Sequence, residues 1–374
     1  MPEYLVAIRS GRFDLAALKN LNTQRKDQIS PLISVRGTSL QDFDNFVDDW
    51  GDRLFYLDIS RQPKDLKEPR QQPDKPQKIN ILLERDLNNP KNAYENKRSF
   101  YSEQLEKNKN IVPVVSWRAN DPIRDIARCA ILLNKGGEQA IGVRIPIGKN
   151  GEPSNHSKEA LSTILNSLPT PEKCVLIFDY QHISSFPSTD EDSWIFKTLS
   201  LAQNDYNIER AFLLSTSFPK ERPDNGSSMI TACLDWEWQA TLRNSFEILG
   251  YGDYATSDPD GEMDFIPGMP TIPYAGYFSD SHLIWWTKKE GKDKEFSKYI
   301  GIAKEIVRLD YFHDDDFCWA TIKYEEIASL GGGDKSGYGN NGVWLGFRIN
   351  QHVAAMLNLA NVNDSQIDEE IDLF

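Results

Sequence analysis

Six charged residues stand at the ends of short apolar runs: Arg36, Arg118 and Arg144 among the bases, and Asp58, Asp179 and Asp253 among the acids. Ser217 lies just beyond another such run. Converging guanidiniums suit a phosphate or a carboxylate, because each planar fork grips two oxygens. Converging carboxylates suit a divalent metal, proton transfer to a substrate, or compensation of the arginines themselves. On one reading Arg36, Arg118 and Arg144 hold an anion while Asp58, Asp179 and Asp253 bind a metal or move protons. On the other, the charges neutralise each other across neighbouring strands, Arg36 with Asp58 and Arg144 with Asp179, since a buried charge requires a partner. The residue types leave both open.

The remaining chemistry-bearing residues narrow the classes. The five histidines are His156, His182, His282, His313 and His352, and of these His182 follows a strand end. They form no H-x-H, H-E-x-x-H or H-x-x-E-H pattern, which argues against a multi-histidine metal hydrolase and leaves a divalent metal without motif support. In His313-Asp314-Asp315-Asp316 adjacent side chains cannot all face one ion, and Asp315 or Asp316 is expected to cap a helix. The glycine-rich stretch 331–339 fails as a phosphate loop, because Asp334 stands where glycine must precede the Lys-Ser pair. Its amides could still cradle an anion, or it could simply connect two helices. Arg348 and His352, four apart, share one face of the last helix. They could line the same site or lie at the surface. Ser217 is a candidate contact to a ligand, but no G-x-S-x-G elbow supports it as a nucleophile.

The elements that must position these residues are eight apolar runs, at 4–8, 29–35, 54–59, 111–117, 140–145, 174–178, 211–215 and 246–250. They are rich in Val, Ile, Leu and Phe and rarely alternate with polar residues, as strands do when both faces are buried. Helical patterns separate most of them. Together they predict an α/β fold, a TIM-barrel-like (β/α)8 barrel with a C-terminal helical extension, with function at the C-terminal ends of the strands. The barrel is expected over residues 1–312, with insertions at 61–98 and 255–290. A helical and glycine-rich extension packed on the barrel is expected over 313–362, and an acidic tail over 363–374. The stretch 62–78, with four prolines and many charges, reads as an exposed insertion. Segments 274–278 and 282–287 read as a hairpin, and a helix at about 296–309 is expected to close the barrel.

The chain carries 42 basic and 56 acidic residues, a net charge of −14. That balance argues against non-specific binding to nucleic acid or anionic membrane, and permits a local basic pocket or a protein partner. Cys129, Cys174, Cys233 and Cys318 show no metal-like spacing. Their usage, and an N-terminus without a signal-peptide pattern, point to the cytoplasm. No apolar stretch approaches the roughly 20 residues that cross a bilayer.

A family resemblance covers nearly the whole chain. It rests on the order of several short motifs. These are Ile29-Ser30-Pro31-Leu32-Ile33, Leu57-Asp58-Ile59, Val143-Arg144-Ile145, Ile177-Phe178-Asp179, Ser217-Phe218-Pro219 and Gly252-Asp253-Tyr254, then a late glycine-rich segment before Trp344, Arg348 and His352. In this order they resemble the beta protein family of phages and bacteria, whose members often stand in defence-type gene neighbourhoods. The resemblance implies a barrel-like fold and a part in phage–host conflict, and carries no established reaction. Two functions remain in view. One is a mouth that recognises an anion such as a nucleotide or nucleic-acid phosphate. The other is a non-catalytic module that binds a nuclease or phage protein. The end, Glu370-Ile371-Asp372-Leu373-Phe374, looks similar to peptides that dock on the bacterial sliding clamp, with Glu370 in place of the usual leading Gln, and could equally be an ordinary acidic tail.

Overall fold

In the computed structural model, which describes residues 4–38, 40–69, 79–257, 259, 270–314, 316–331, 333 and 336–371, the expected strands close into a barrel. They are β1 Tyr4–Arg9, β2 Ile29–Val35, β3 Phe55–Ile59, β4 Ile111–Val115, β5 Ile141–Pro146, β6 Cys174–His182 and β7 Arg210–Thr216. After an intervening strand, β8 Ser227–Ala232, the last barrel strand is β9 Leu249–Asp253. All barrel pairs are parallel, and β9 closes on β1 with Tyr4 opposite Tyr251 and Val6 opposite Asp253. The fold is thus a TIM-barrel-like α/β barrel with C-terminal helices.

Although the strand sequences look continuously apolar, their side chains divide by the two-residue period of a strand. Leu5, Ala7, Leu32, Tyr56, Val112, Val114, Phe212 and Leu214 fill the barrel interior. Their neighbours Tyr4, Val6, Ile8, Leu57, Leu176 and Leu213 pack outward against the helices. Gly252 is an inward position with no room to spare: a Cβ there would stand 2.8 Å from the Leu213 carbonyl oxygen.

A second layer of structure sits beside the barrel. Strands β10 Tyr274–Ser279 and β11 Ile284–Lys289 form the expected hairpin, and β8 adds to the far side of β11. The sequence pattern missed β8, because Ser227–Ala232 is an edge strand with no buried residue, and its Met229 and Ile230 are too short an apolar run to stand out. Helices Lys298–Ile306 and Trp319–Ser329 cover this sheet around Tyr277, Tyr299, Tyr324, Trp344 and Phe347. Tyr299 and Trp344 stack with centroids 4.2 Å apart.

The expected barrel-closing helix therefore lies elsewhere: Lys298–Ile306 buries Ile300, Ile302 and Ile306 in the second core. Helix Asn341–Ile371 instead bridges both cores, with Trp344, Phe347 and Ala354 in one and Ile349, Val353 and Met356 in the other. Gly342 lets it approach helix Arg12–Lys19, since a Cβ would stand 2.2 Å from the Phe13 ring. The backbone of this helix continues to Ile371, through much of the expected tail, while 372–374 lie outside the described residues. Two further expectations shift. The last barrel strand begins at Leu249, because Phe246 is still held to Leu242 by a backbone hydrogen bond. Trp319–Ser329 is capped by Cys318 and Thr321, and Asp315 lies outside the described residues. No helix among the described residues is long and apolar enough to cross a membrane.

Candidate functional site

The inward positions that follow the apolar layer carry the polar residues of the mouth. On β5 the residue two after inward Gly142 is Arg144, and on β6 the residue two after inward Ile177 is Asp179. On β3 the residue two after Tyr56 is Asp58. The period of two thus brings these three together at one level of the barrel.

Arg144 is the hub. Its Nη1 donates to Asp58 Oδ2 at 2.8 Å and its Nε to Asp179 Oδ2 at 2.9 Å. Its Nη2 donates to the Tyr254 hydroxyl at 2.7 Å. Tyr254 in turn donates to Asp179 Oδ1. Burial alone would lower the Arg144 pKa, but Asp179, Tyr254 and Asp58 together hold it well above its ordinary value. The expected pairing of Arg144 with Asp179 is present, whereas Asp58, expected to pair with Arg36, pairs with Arg144 instead, and Arg36 turns to Asp65.

Asp58 is also fed from the other side. Ser116 Oγ donates to its Oδ1 at 2.6 Å, and Lys97 Nζ lies 3.9 Å away. Burial pushes the Asp58 carboxyl up, yet Arg61, Arg144, Lys97 and the Ser116 hydrogen bond pull it below the usual carboxylate range. Lys97 itself is fully buried, and burial lowers its pKa despite Asp58. Its ammonium donates to Ser116 and sits over the rings of Tyr94 and Tyr101.

Above this network lies a cavity of about 260 Å³. Arg9, Arg61, Lys64 and Arg118 line it together with Arg144. Arg9 Nη2 holds both oxygens of Asp65, at 2.6 and 2.7 Å, and Arg36 Nε lies 3.3 Å from the same carboxylate. Asp65 and Lys64 belong to the stretch expected to be exposed. Its start is instead a 3₁₀ turn, Pro63–Leu66, with Asp65 buried against Ser60 and Arg9, while 70–78 lie outside the described residues. Arg61 donates to the Trp117 carbonyl at 2.6 Å. Arg118 is exposed at the rim, and no ion pair reaches it among the described residues.

The other expected site residues lie apart from this cavity. Asp253 is an outward position, with Tyr4 and Tyr251, and meets His352 at 2.7 Å. Ser217 donates its hydroxyl to buried Asp235 at 2.6 Å. Arg348 is buried over the rings of Phe218 and Tyr274, with Nη2 donating to the Thr256 carbonyl. Among the described residues no group of three or more His, Cys, Asp or Glu side chains is placed to hold a metal ion.

Reading strand ends missed Arg9, Arg61, Lys64, Lys97 and Tyr254. Arg9 and Tyr254 were legible by the same logic, since each continues the inward period of its strand. Lys97 gave no signal, because a lysine on a polar helix is usually solvated.

Comparison with known proteins finds likeness over nearly the whole chain. A family model described as Beta protein matches residues 4–358. "Protein beta" of Enterobacteria phage P4 is 24% identical over 381 aligned residues, spanning 98% of this chain and 96% of that protein.

Proposed function

The chain belongs to the Beta protein family, and we propose that it acts in phage–host conflict by taking an anionic ligand, a nucleotide or nucleic-acid phosphate, into the barrel mouth. The observation that carries this reading is the local charge. Arg9, Arg61, Lys64, Arg118 and Arg144 line the mouth and Lys97 underlies it, against Asp58, Asp65 and Asp179, within a chain of net charge −14. Such a cationic pocket in an acidic envelope attracts a small anion while the outer surface repels long duplexes. Arg118 and Arg61, at the rim, are the residues assigned to the anion. Arg144, with Asp58 and Asp179 on it, sets the floor.

Calorimetric titration with inorganic pyrophosphate tests the reading. Wild-type protein binds it, and binding weakens by about tenfold in Arg118→Ala and Arg61→Ala, the loss of one charge-assisted contact each. Equal heats for wild type and both variants would remove the mouth as the site.

One observation favours a second reading. The floor charges satisfy each other, as they would in a scaffold that binds a protein, such as a nuclease or phage component, through its outer surface. On that reading pyrophosphate leaves no heat, and a purified partner binds Arg118→Ala as tightly as wild type.

A further inference from the structure

Beside the mouth lies a second cleft of about 490 Å³, lined by Lys149, Tyr180, Gln181, His182, Phe186 and Lys220 among others. Gln181 lines the mouth cavity as well, so the two spaces share a wall. The backbone there is specialised: β6 bulges between Asp179 and Gln181, and Gln181 has φ of 56°. A left-handed conformation is unfavourable for a non-glycine residue and clusters at ligand sites. The bulge sends Asp179 into the floor network and turns Gln181 toward the boundary of the two cavities.

Tyr180 gives the second, independent observation. It is 7% exposed, its ring packs edge-on to Trp238 at 4.7 Å, and its buried hydroxyl has no hydrogen-bond partner among the described residues. A buried hydroxyl without a partner is a standing cost in the absence of a ligand group to meet it. In the lining of the same cleft Phe186 is 53% exposed, a large apolar ring at the surface. Lys149 and Lys220 supply positive charge on the cleft wall.

Resting on the anion-binding reading of the mouth, we propose that this cleft is a second nucleotide subsite. The ligand is then a short single-stranded oligonucleotide segment, with one phosphate at Arg118 and Arg61 and the adjoining nucleotide in the cleft. Phe186 offers a face on which a base stacks, Lys149 and Lys220 meet the next phosphate, and the Tyr180 hydroxyl donates to the ligand. A single strand suits the combination because its bases are available for stacking and its backbone can bend between two adjacent cavities.

The test compares two probes on the full chain. Inorganic pyrophosphate reports the mouth, and a 5′-phosphorylated tetradeoxythymidylate reports mouth and cleft together. Wild-type protein is expected to bind the tetranucleotide more tightly than pyrophosphate. Phe186→Ala, Lys149→Ala and Tyr180→Phe each weaken the tetranucleotide by about tenfold, the worth of one stacking or hydrogen-bonding contact, and leave pyrophosphate unchanged. Tyr180→Phe removes an unpartnered hydroxyl and keeps the ring, so its fold is retained and a loss of affinity reports the ligand contact. If wild type binds pyrophosphate but the three variants hold the tetranucleotide undiminished, the subsite is wrong and the mouth stands. If wild type binds neither probe, both readings fall.

Discussion

His352 Nε2 lies 2.7 Å from Asp253 Oδ2, pinning the C-terminal helix to the last strand of the barrel. The carboxylate is fully buried and satisfied from the other sides as well. Tyr4 and Tyr251 donate through their hydroxyls at 2.8 and 3.0 Å, and the Ala255 amide donates at 2.8 Å. The imidazole is stacked on Trp285 at 4.6 Å and edge-on to Phe278. Where an outer helix following β9 would complete the ring, this helix does so from 88 residues further along the chain, counting from Asp253 to Asn341. The pair is the joint between the barrel and the second core.

Removing the acid should therefore damage the fold. Asp253→Ala strands two tyrosine hydroxyls, an amide and an imidazole, and is expected to cost about 3–5 kcal/mol. Urea unfolding would show a lower midpoint with an unchanged slope. His352→Gln, which keeps a donor, should cost less than His352→Ala. A midpoint unmoved by Asp253→Ala would mean that the joint carries no stability.

The floor of the mouth gives a second stability prediction. Arg144→Met leaves Asp58 and Asp179 buried without their shared cation, and is expected to cost about 3–5 kcal/mol. Adding Asp58→Asn and Asp179→Asn to Arg144→Met removes the stranded charges, so the triple variant should melt above the single one. A triple variant with a lower Tm than Arg144→Met would show that the carboxylates are held by other partners.

How much of this was legible follows from two periods. The barrel strands announced themselves because strands buried on both faces read as apolar runs, and the hairpin of β10 and β11 followed the same rule. The edge strand β8 did not, since Ser227–Ala232 has no buried residue and offers no sustained apolar run. At the site, strand ends identified Asp58, Arg144 and Asp179 correctly as neighbours, but an end residue can face either way. Tyr254 follows inward Gly252 by two and enters the mouth, whereas Asp253 follows outward Tyr251 and meets the helix. Counting parity along each strand would have separated them. No local pattern could show that Asn341–Ile371 takes the barrel-closing place, because that depends on which of two amphipathic helices fits Phe13 and Asp253.

Acid titration separates carboxylates of opposite character. Asp58 and Asp65 are buried, which raises their pKa, but Arg61 and Arg144 on the one and Arg9 on the other bring both below the ordinary value. Their stabilisation is complete above the unfolded value of about 3.9 and is lost as pH falls through the folded values. Asp235 has the reverse sign. Burial raises it beyond what Ser215 and Ser217 recover, so it favours the folded state as pH falls toward the unfolded value. Stability measured by urea at successive pH values should fall below about pH 4. That slope should be shallower in Asp58→Asn, whereas Asp235→Asn should change the profile above about pH 4, removing the gain in stability that wild type shows there as pH falls. Identical profiles in all three proteins would contradict the assignment.

The cysteines test the packing from outside the site. Cys129, Cys174, Cys233 and Cys318 are all buried thiols, spread over helix Ile123–Asn134, β6, the end of β8 and the start of helix Trp319–Ser329. Burial pushes the Cys129 thiol up to about 11 and the Cys174 thiol up to about 12, and raises the other two as well. Thiolate is the reactive form, so two effects protect each sulfur: little thiolate forms near neutral pH, and reagents do not reach it. A chromogenic disulfide reagent should release no colour from native protein and four equivalents after guanidinium unfolding. Any slow native reaction whose rate does not depend on reagent concentration would report local opening, and labelling of Cys318 before Cys129 would place that opening in the second core. Rapid stoichiometric labelling of the native protein would contradict the burial of these elements.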